Sequence, residues 1–406
     1  MNNRLPVFFI MFSVILDSMG IGLIMPVMPD LIQEVGTLDL SRAAVWGGIL
    51  TTIFAVMQFL CGPTIGSLSD RFGRRPVLLI SLAVMAFDYI LMAVAGTITL
   101  LIIGRIIGGI TAATQSTAAA YMADISKPED KAANFGLIGA AFGIGFVLGP
   151  LIGGALAEFG TRAPFYAAAA LAAANFAFGY FILPETVTDK IRRPFSWKRA
   201  NPIGAFKYIG QLPGLKKLLS IAFLYEVAFF VYPGVWAYYG VAQFGWGPGM
   251  IGVSLGAFGI SIALAQGLLI RPIITALGER NTVIAGLSIS IGCFIALGFL
   301  TNGWIAVALT PLSALGSIAQ PALQGIMSRT AADDQQGELQ GALSSIKAIA
   351  TITSPLIVTQ TFWYFTNENA PFMAPGAPFV LSGMIMAGCI GIFLTRPRGA
   401  SLKTDM

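Results

Sequence analysis

Apolar residues in this chain fall in long runs, and most polar residues are confined to the short joints between them. Twelve runs stand out, roughly at residues 5–29, 43–67, 76–95, 98–123, 132–157, 163–183, 214–241, 248–276, 281–300, 304–328, 338–364 and 376–395. Each approaches the ~20 residues that an α-helix needs to cross hydrocarbon. The pattern predicts an all-α integral membrane protein with twelve transmembrane helices. Residues 184–213 form the one long polar joint, so the expected organisation is a six-helix half at 1–183, a linker at 184–213 and a second six-helix half at 214–406.

Composition sharpens this. With 56% hydrophobic residues, 11% charged and a mean hydropathy of +0.79, the chain is no soluble globule. The runs leave no room for a separate catalytic domain. The first run is too long, and too polar in its middle, for a cleaved signal peptide, so it is expected to remain as an anchor. Cys61, Cys293 and Cys389 sit in apolar runs, and the chain has no histidine. A structural disulfide, a metal centre or a cofactor is therefore not expected.

The net charge of +5 does not imply nucleic acid, because the basic residues are sorted by topology. Numbering from a cytoplasmic N-terminus, the outer joints hold only Arg42 and Arg162, and Arg105 and Lys347 lie inside runs. The remaining Lys and Arg fall on the other side. This is the positive-inside bias, and it puts both termini in the cytoplasm. Asp30, Glu34 and Asp39 are expected to be solvated outer surface. The linker carries Lys190, Arg192, Arg193, Lys198, Arg199 and Lys207 with Phe195 and Trp197, as an interfacial amphipathic segment does.

A few ionisable and amide side chains interrupt the runs: Asp17, Gln58, Asp88, Arg105, Glu226, Gln266 and Lys347. A carboxylate at mid-bilayer costs ~2.5–3.5 kcal/mol on insertion scales, so such groups are expected to face a polar interior or a partner. Arg105 reads as a permanent cation for an intramembrane acid, and Glu226 and Lys347 as a compensating pair. Gly20, Gly22 and Pro26 weaken the helix beyond Asp17. For Gln58 the expectation is divided between simple interhelical glue and a functional role.

Between the second and third runs lies Gly66-Ser-Leu-Ser-Asp70-Arg71-Phe-Gly73-Arg74-Arg75-Pro76. Gly66 and Gly73 suit close approach and a sharp turn, and Pro76 suits a helix start. Asp124 and Glu129, at the end of the fourth run, are expected latch partners for its arginines. The spacing G-x-x-x-D-R-x-G-R-R-P resembles the cytoplasmic signature of the major facilitator superfamily, where the Asp and Arg latch the two halves of a transporter. Gly145-x-x-x-Gly149-Pro150-x-x-Gly153-Gly154 is similar to the fifth-helix motif of that superfamily's proton-coupled drug exporters, and as a small-residue face it also suits packing. Ser354-Pro355 and Gly278-Glu279-Arg280 are weak echoes in the second half, as a parallel repeat requires.

Nearly end to end the chain resembles the twelve-helix tetracycline-efflux group of drug:proton antiporters. Leu16–Pro26, Ser69–Pro76, Asp88-Tyr89, Gly104-Arg105, Phe244–Trp246 and Pro321–Gly325 carry that likeness, as do Gln335–Gly337 and Leu339–Gly341. The resemblance implies that Asp17, Gln58, Asp88, Arg105 and Gln266 handle substrate and protons. It makes Asp70, Arg71 and Arg74 the cytoplasmic gate. The group's histidine in the eighth helix aligns with Ile262 here, and its aspartate in the ninth with Ser290. Glu226 and Lys347 appear in other helices instead.

The expected protein is thus a monomeric proton-coupled exporter of a small amphipathic compound in a bacterial inner membrane. Its partners would be solute, protons and lipid, with no nucleic acid. Each proton entering down 100 mV releases ~2.3 kcal/mol, enough to concentrate a solute several-tenfold. A tetracycline-like drug, or a siderophore, sugar or lipid, fits that scaffold. A membrane enzyme would need a nucleophile and base or a metal constellation, which the chain lacks. A receptor would bind without flux.

Overall fold

The computed structural model describes residues 4–112, 114–127, 130–188, 192–197, 200–202, 204, 212, 214–332 and 335–395. Among them the regular structure is entirely helical. The N-terminal group comprises α1 (Arg4–Ile24), α2 (Met28–Gly36), α3 (Leu40–Phe72), α4 (Arg74–Ala93), α5 (Ile98–Thr111), α6 (Thr114–Ile125), α7 (Lys131–Leu156) and α8 (Ala163–Ile182). The C-terminal group comprises α9 (Lys216–Phe229), α10 (Val231–Phe244), α11 (Pro248–Leu264), α12 (Ile270–Phe299), α13 (Gly303–Ala308), α14 (Thr310–Gly316), α15 (Ala319–Thr330), α16 (Gln336–Tyr364) and α17 (Ala377–Leu394).

All twelve predicted runs are helical, but not as twelve uniform rods. Ten stretches are long and apolar enough to cross a membrane, by length and composition. One of these, Pro248–Phe299, covers two predicted runs and turns at Gly278, whose φ of 73° is left-handed. The run at 304–328 is divided into α13, α14 and α15, with Pro311 opening α14. The first run is interrupted by a 3₁₀ turn at Met25–Val27 around Pro26, as Gly20, Gly22 and Pro26 suggested. Caps set several ends. The Asp39 carboxylate accepts from the Arg42 amide at 2.9 Å to start α3, and Asn302 accepts from the Trp304 and Ile305 amides to start α13. Many large apolar side chains point outward, among them Phe8, Ile80, Phe181, Phe299 and Trp304. That surface is stable against lipid and not against water.

Within the N-terminal group α1 packs on α7, α4 on α8 and α3 on α5. Within the C-terminal group α12 packs on α15 and α17, and α9 on α17. The groups meet through α3 with α16 and α7 with α11. The apolar core shows where they are joined. One cluster runs from Leu16, Met19, Leu23, Tyr89 and Leu101 into the whole C-terminal group. A second, separate cluster of Phe9, Ile10, Val14, Leu78, Tyr121, Ile138 and Leu183 serves the other end of the N-terminal group alone. That other end carries Gly73 and Gly278 and is called here the loop end; the opposite one is the far end.

Glu34 and Asp39 are exposed as expected, but each has a partner, and Asp30 is half-buried. Glu34 is not plain solvated surface: its carboxylate pairs with Arg162 at 3.0 Å, while Arg162 also donates to the Ala93 and Ala95 carbonyls at the end of α4. A cation is favoured at that helix terminus. Asp39 is a helix cap, as described. In the linker, Phe195 and Trp197 contact edge to face at 4.9 Å and Trp197 is exposed. Lys190, Lys198, Arg199 and Lys207 lie outside the described residues.

Candidate functional site

At the loop end, α3 and α4 are joined by Gly73 alone. Its φ of 114° is a conformation open chiefly to glycine, and a Cβ there would strike the Glu185 carboxylate. Arg74 sits between two acids, 2.7 Å from Asp70 and 3.1 Å from Asp124, with Ser69 Oγ also at 3.1 Å. The predicted Asp70–Arg74–Asp124 cluster is therefore assembled. Its described partners lie within the N-terminal group and the start of the linker, so among the described residues the cluster does not bridge the two groups. Arg71 is exposed over the Phe72 ring at 5.0 Å. Gly66 meets no neighbour, because the loop end stands open, and makes no close approach here. Glu129 lies outside the described residues.

Sequence reasoning missed Glu185. Its carboxylate accepts from the Arg74 amide at 2.9 Å and the Arg75 amide at 3.2 Å, capping α4 from 110 residues away. Thr186 donates to Asp124 at 3.2 Å, and Tyr121 donates to the Pro184 carbonyl at 3.0 Å. The first residues of the linker are thus packed into the Gly73 loop.

Deeper in, Asp88 on α4 and Arg105 on α5 form an ion pair at 2.9 Å, with Asp88 only 3% exposed. The Asp88 carboxylate rests against Gly104 and Gly108, where any side chain would collide with it. Arg105 also contacts Met92 sulfur and lies over the Phe54 ring at 5.4 Å. One Asp88 oxygen and Arg105 Nε stay without hydrogen bonds. Asp17, half-buried on α1, shares this region: the Tyr89 hydroxyl feels the charges of Asp17, Asp88 and Arg105 together.

The two glutamines serve helix breaks. Gln58 donates to the Ala112 carbonyl at 3.1 Å, where α5 ends before α6 begins. Gln266 lies in a π-helical turn, 265–269, and donates to Ser317 Oγ at 3.2 Å, where α14 gives way to α15. An interrupted span frees backbone groups that must be satisfied; Gln58 does that directly, and Gln266 bonds a side chain at the corresponding interruption. The breaks themselves carry no sequence signal as clear as the apolar runs.

In the C-terminal group Glu226 accepts from Gln320 Nε2. The expected Glu226–Lys347 ion pair is not formed. Both residues instead line a cavity of about 220 Å³ with Gln320, Gln324, Gln340 and Ser344, and the Glu226 carboxylate is taken up by Gln320 rather than by Lys347. Ser290 is buried against Gly316 with its hydroxyl unpartnered, and Ile262 is half-buried. At the loop end Glu279 pairs with Arg329. This repeats the Arg74–Asp124 contact after a left-handed glycine, with acid and base exchanged.

The glycines of α7 divide into two faces. Gly145, Gly149 and Gly153 press on the α1 backbone at Ile15, Met19 and Leu23 within the N-terminal group, while Gly154 and Pro150 meet α11. The expected inter-half face is thus carried by the neighbouring stripe of Val147, Pro150, Leu151 and Gly154. A Cβ on Gly252 would strike the Pro150 carbonyl, and one on Gly48 would meet the Pro355 carbonyl at 3.0 Å. Thr52 donates to the Ile352 carbonyl at 3.0 Å and Ser41 to Thr366 at 2.9 Å. All these junctions lie toward the far end. Along the same helices toward the loop end, Gly62, Gly66, Gly136, Gly139, Gly143 and Gly267 meet nothing. The groups are sealed at the far end and parted at the loop end.

Comparison with known proteins agrees with this architecture. The family model described as Major Facilitator Superfamily matches residues 10–355. The class C tetracycline resistance protein of Escherichia coli is 42% identical over 89% of this chain and 90% of its own length. The class G tetracycline resistance protein of Vibrio anguillarum is 37% identical, covering 86% and 88%. Among solved structures, the nucleoside transporter NupG superposes with a TM-score of 0.77 over 97% of this chain and 99% of that one, at 13% identity.

Proposed function

Since the chain belongs to the major facilitator superfamily, we propose that it is a proton-coupled efflux antiporter that exports a small amphipathic organic compound of the tetracycline kind by alternating access. The observation that carries this is the asymmetric seal: uncharged junctions close the far end while the loop end stands open beneath a set of intramembrane ionisable groups. In this reading the loop end is cytoplasmic with both termini, the membrane is the bacterial inner membrane, and the chain works as a monomer. Twelve crossings divide into halves at 1–183 and 214–406, joined by 184–213.

Asp17 and the Asp88–Arg105 pair carry the proton step. Asp17 is half-buried and shares the Tyr89 hydroxyl's surroundings with the ion pair. Its charge is therefore differently compensated as the groups rock about their junctions. Proton and solute compete for the same charges, and that competition is the coupling. Gln58 and Gln266 hold the broken helices in register across the transition. Asp70, Arg74, Asp124 and Glu185 shape the cytoplasmic gate.

The test is flux in everted membrane vesicles. An imposed pH gradient is expected to drive tetracycline uptake, and Asp17→Asn to abolish the drive. Gradient-independent uptake, or an unaffected Asp17→Asn variant, would remove proton antiport. One observation favours a second reading, export of another metabolite such as a siderophore, sugar or lipid: the neutral Ile262 and Ser290 and the separate Glu226 and Lys347 change the C-terminal side of the site. Susceptibility profiling of cells expressing the chain or Asp17→Asn separates the two.

A further inference from the structure

The charges of the C-terminal group are arranged unlike an ordinary buried ion pair. Glu226 lies 10 residues into α9 and Lys347 11 residues into α16. At 1.5 Å per residue each is roughly 15 Å from the loop end, at the same depth. Glu226 is fixed by Gln320, itself about 15 Å from the loop end of α15. Lys347 is exposed in the cavity and makes no ion pair or side-chain hydrogen bond with a described residue. An ammonium left unpaired at this depth is costly unless water or a ligand reaches it. Two opposite charges face one cavity and leave the space between them free.

Resting on the exporter reading above, we propose that this cavity between α9, α15 and α16 is the subsite for the charged end of a zwitterionic solute, with its acidic group on Lys347 and its amine on Glu226. A pure anion would satisfy Lys347 and leave Glu226 facing like charge; a pure cation would do the reverse. A ligand carrying both signs neutralises each wall group. Gln320, Gln324 and Gln340 add donors and acceptors that adapt to the polar atoms between. The volume of about 220 Å³ falls short of the ~300–1,000 Å³ of whole drug sites, so only the polar end enters. The apolar body lies toward the N-terminal group, where Asp17 and the Asp88–Arg105 pair are found. The second set of charges thus has a role separate from proton handling.

The test uses the full chain in detergent and in proteoliposomes, with three forms of one fluorescent scaffold. Nε-dansyl-lysine is the zwitterion, its methyl ester the cation and its Nα-acetyl derivative the anion. The zwitterion is expected to bind at least tenfold more tightly than either capped form. Lys347→Gln is expected to erase the preference over the ester, and Glu226→Gln the preference over the acetyl form. The double exchange Glu226→Lys with Lys347→Glu is expected to restore the zwitterion's preference, which a merely misfolded variant would not do. Equal binding of the three forms, no binding of any, or single variants that keep the wild-type ranking overturns the proposal. Equilibrium binding needs no gradient, so the two readings fail separately. Selective binding without pH-driven flux removes the antiporter and keeps the subsite, whereas pH-driven flux without selectivity removes the subsite alone.

Discussion

The two groups of helices solve the same problem, charge in hydrocarbon, in opposite ways. In the N-terminal group the acid and the base touch: Asp88 and Arg105 meet at 2.9 Å between α4 and α5, with Gly104 and Gly108 making room. At the matching junction of the C-terminal group, α12 presents neutral Ser290 to Gly316, and the charges have moved to Glu226 and Lys347 on cavity walls. The ion pairs of the loop end are also inverted, Arg74 with Asp124 against Glu279 with Arg329. A repeated scaffold fixes where the contacts fall but not which sign stands on which side. One group closes its charges on each other; the other leaves them on the walls of a cavity.

The sharpest way to break this comparison is to remove one cation from each group. Arg105→Ala strands the Asp88 carboxylate at 3% exposure and is expected to destabilise by ~3–5 kcal/mol. Lys347→Ala removes an exposed cation and is expected to cost under ~1 kcal/mol. Thermal unfolding in detergent distinguishes them, and equal losses would dissolve the contrast. Next, Gly252→Val or Gly48→Val drives a side chain into the Pro150 or Pro355 carbonyl. Such overpacking costs ~1–3 kcal/mol and is expected to part the far end, shortening spin-label distances between positions 136 and 267 at the loop end. Unchanged distances would show that these junctions do not hold the present conformation.

The ion pairs of the loop end give a finer comparison. A double-mutant cycle on Arg74 and Asp124, whose side chains are 13% and 18% exposed, is expected to yield a coupling above ~1 kcal/mol. Arg329 is 56% exposed, so its cycle with Glu279 should give less, ~0.2–1 kcal/mol, and weaken in salt. A similarly small effect is expected for Gln58→Ala and Gln266→Ala, each losing one neutral hydrogen bond, ~0.5–1.5 kcal/mol. Similar losses in unfolding free energy would establish the glutamines as matched braces.

Much of the architecture was legible because membrane helices announce themselves locally, through run length and the sorting of Lys and Arg. Arg74 and Asp124 were legible as partners because both stand at helix ends on the same side, Arg74 opening α4 and Asp124 near the close of α6. Glu185 was not, since a cap delivered from 110 residues away leaves no trace near α4. The interruptions at Ala112 and between α14 and α15 were hidden for a related reason. A span that breaks inside protein stays as apolar as one that does not, and Gln58 or Gln266 looks like simple interhelical glue until the acceptor is seen. Glu226 and Lys347 were correctly brought to one place, but sequence supplies depth and not separation. It could not tell a closed pair from two charges with room between them.

Among the described residues no ion pair crosses the far-end seal. Proline carbonyls lie against bare α-carbons, and the side-chain bonds across the seam run from threonine or serine to backbone or hydroxyl oxygens. Parting that seam separates no ions, so its opening should be nearly indifferent to ionic strength. Salt sensitivity in the cycle is therefore expected from the ion pairs of the loop end, Arg74–Asp124 and Glu279–Arg329, so added electrolyte should act on one half-reaction of transport more than on the other.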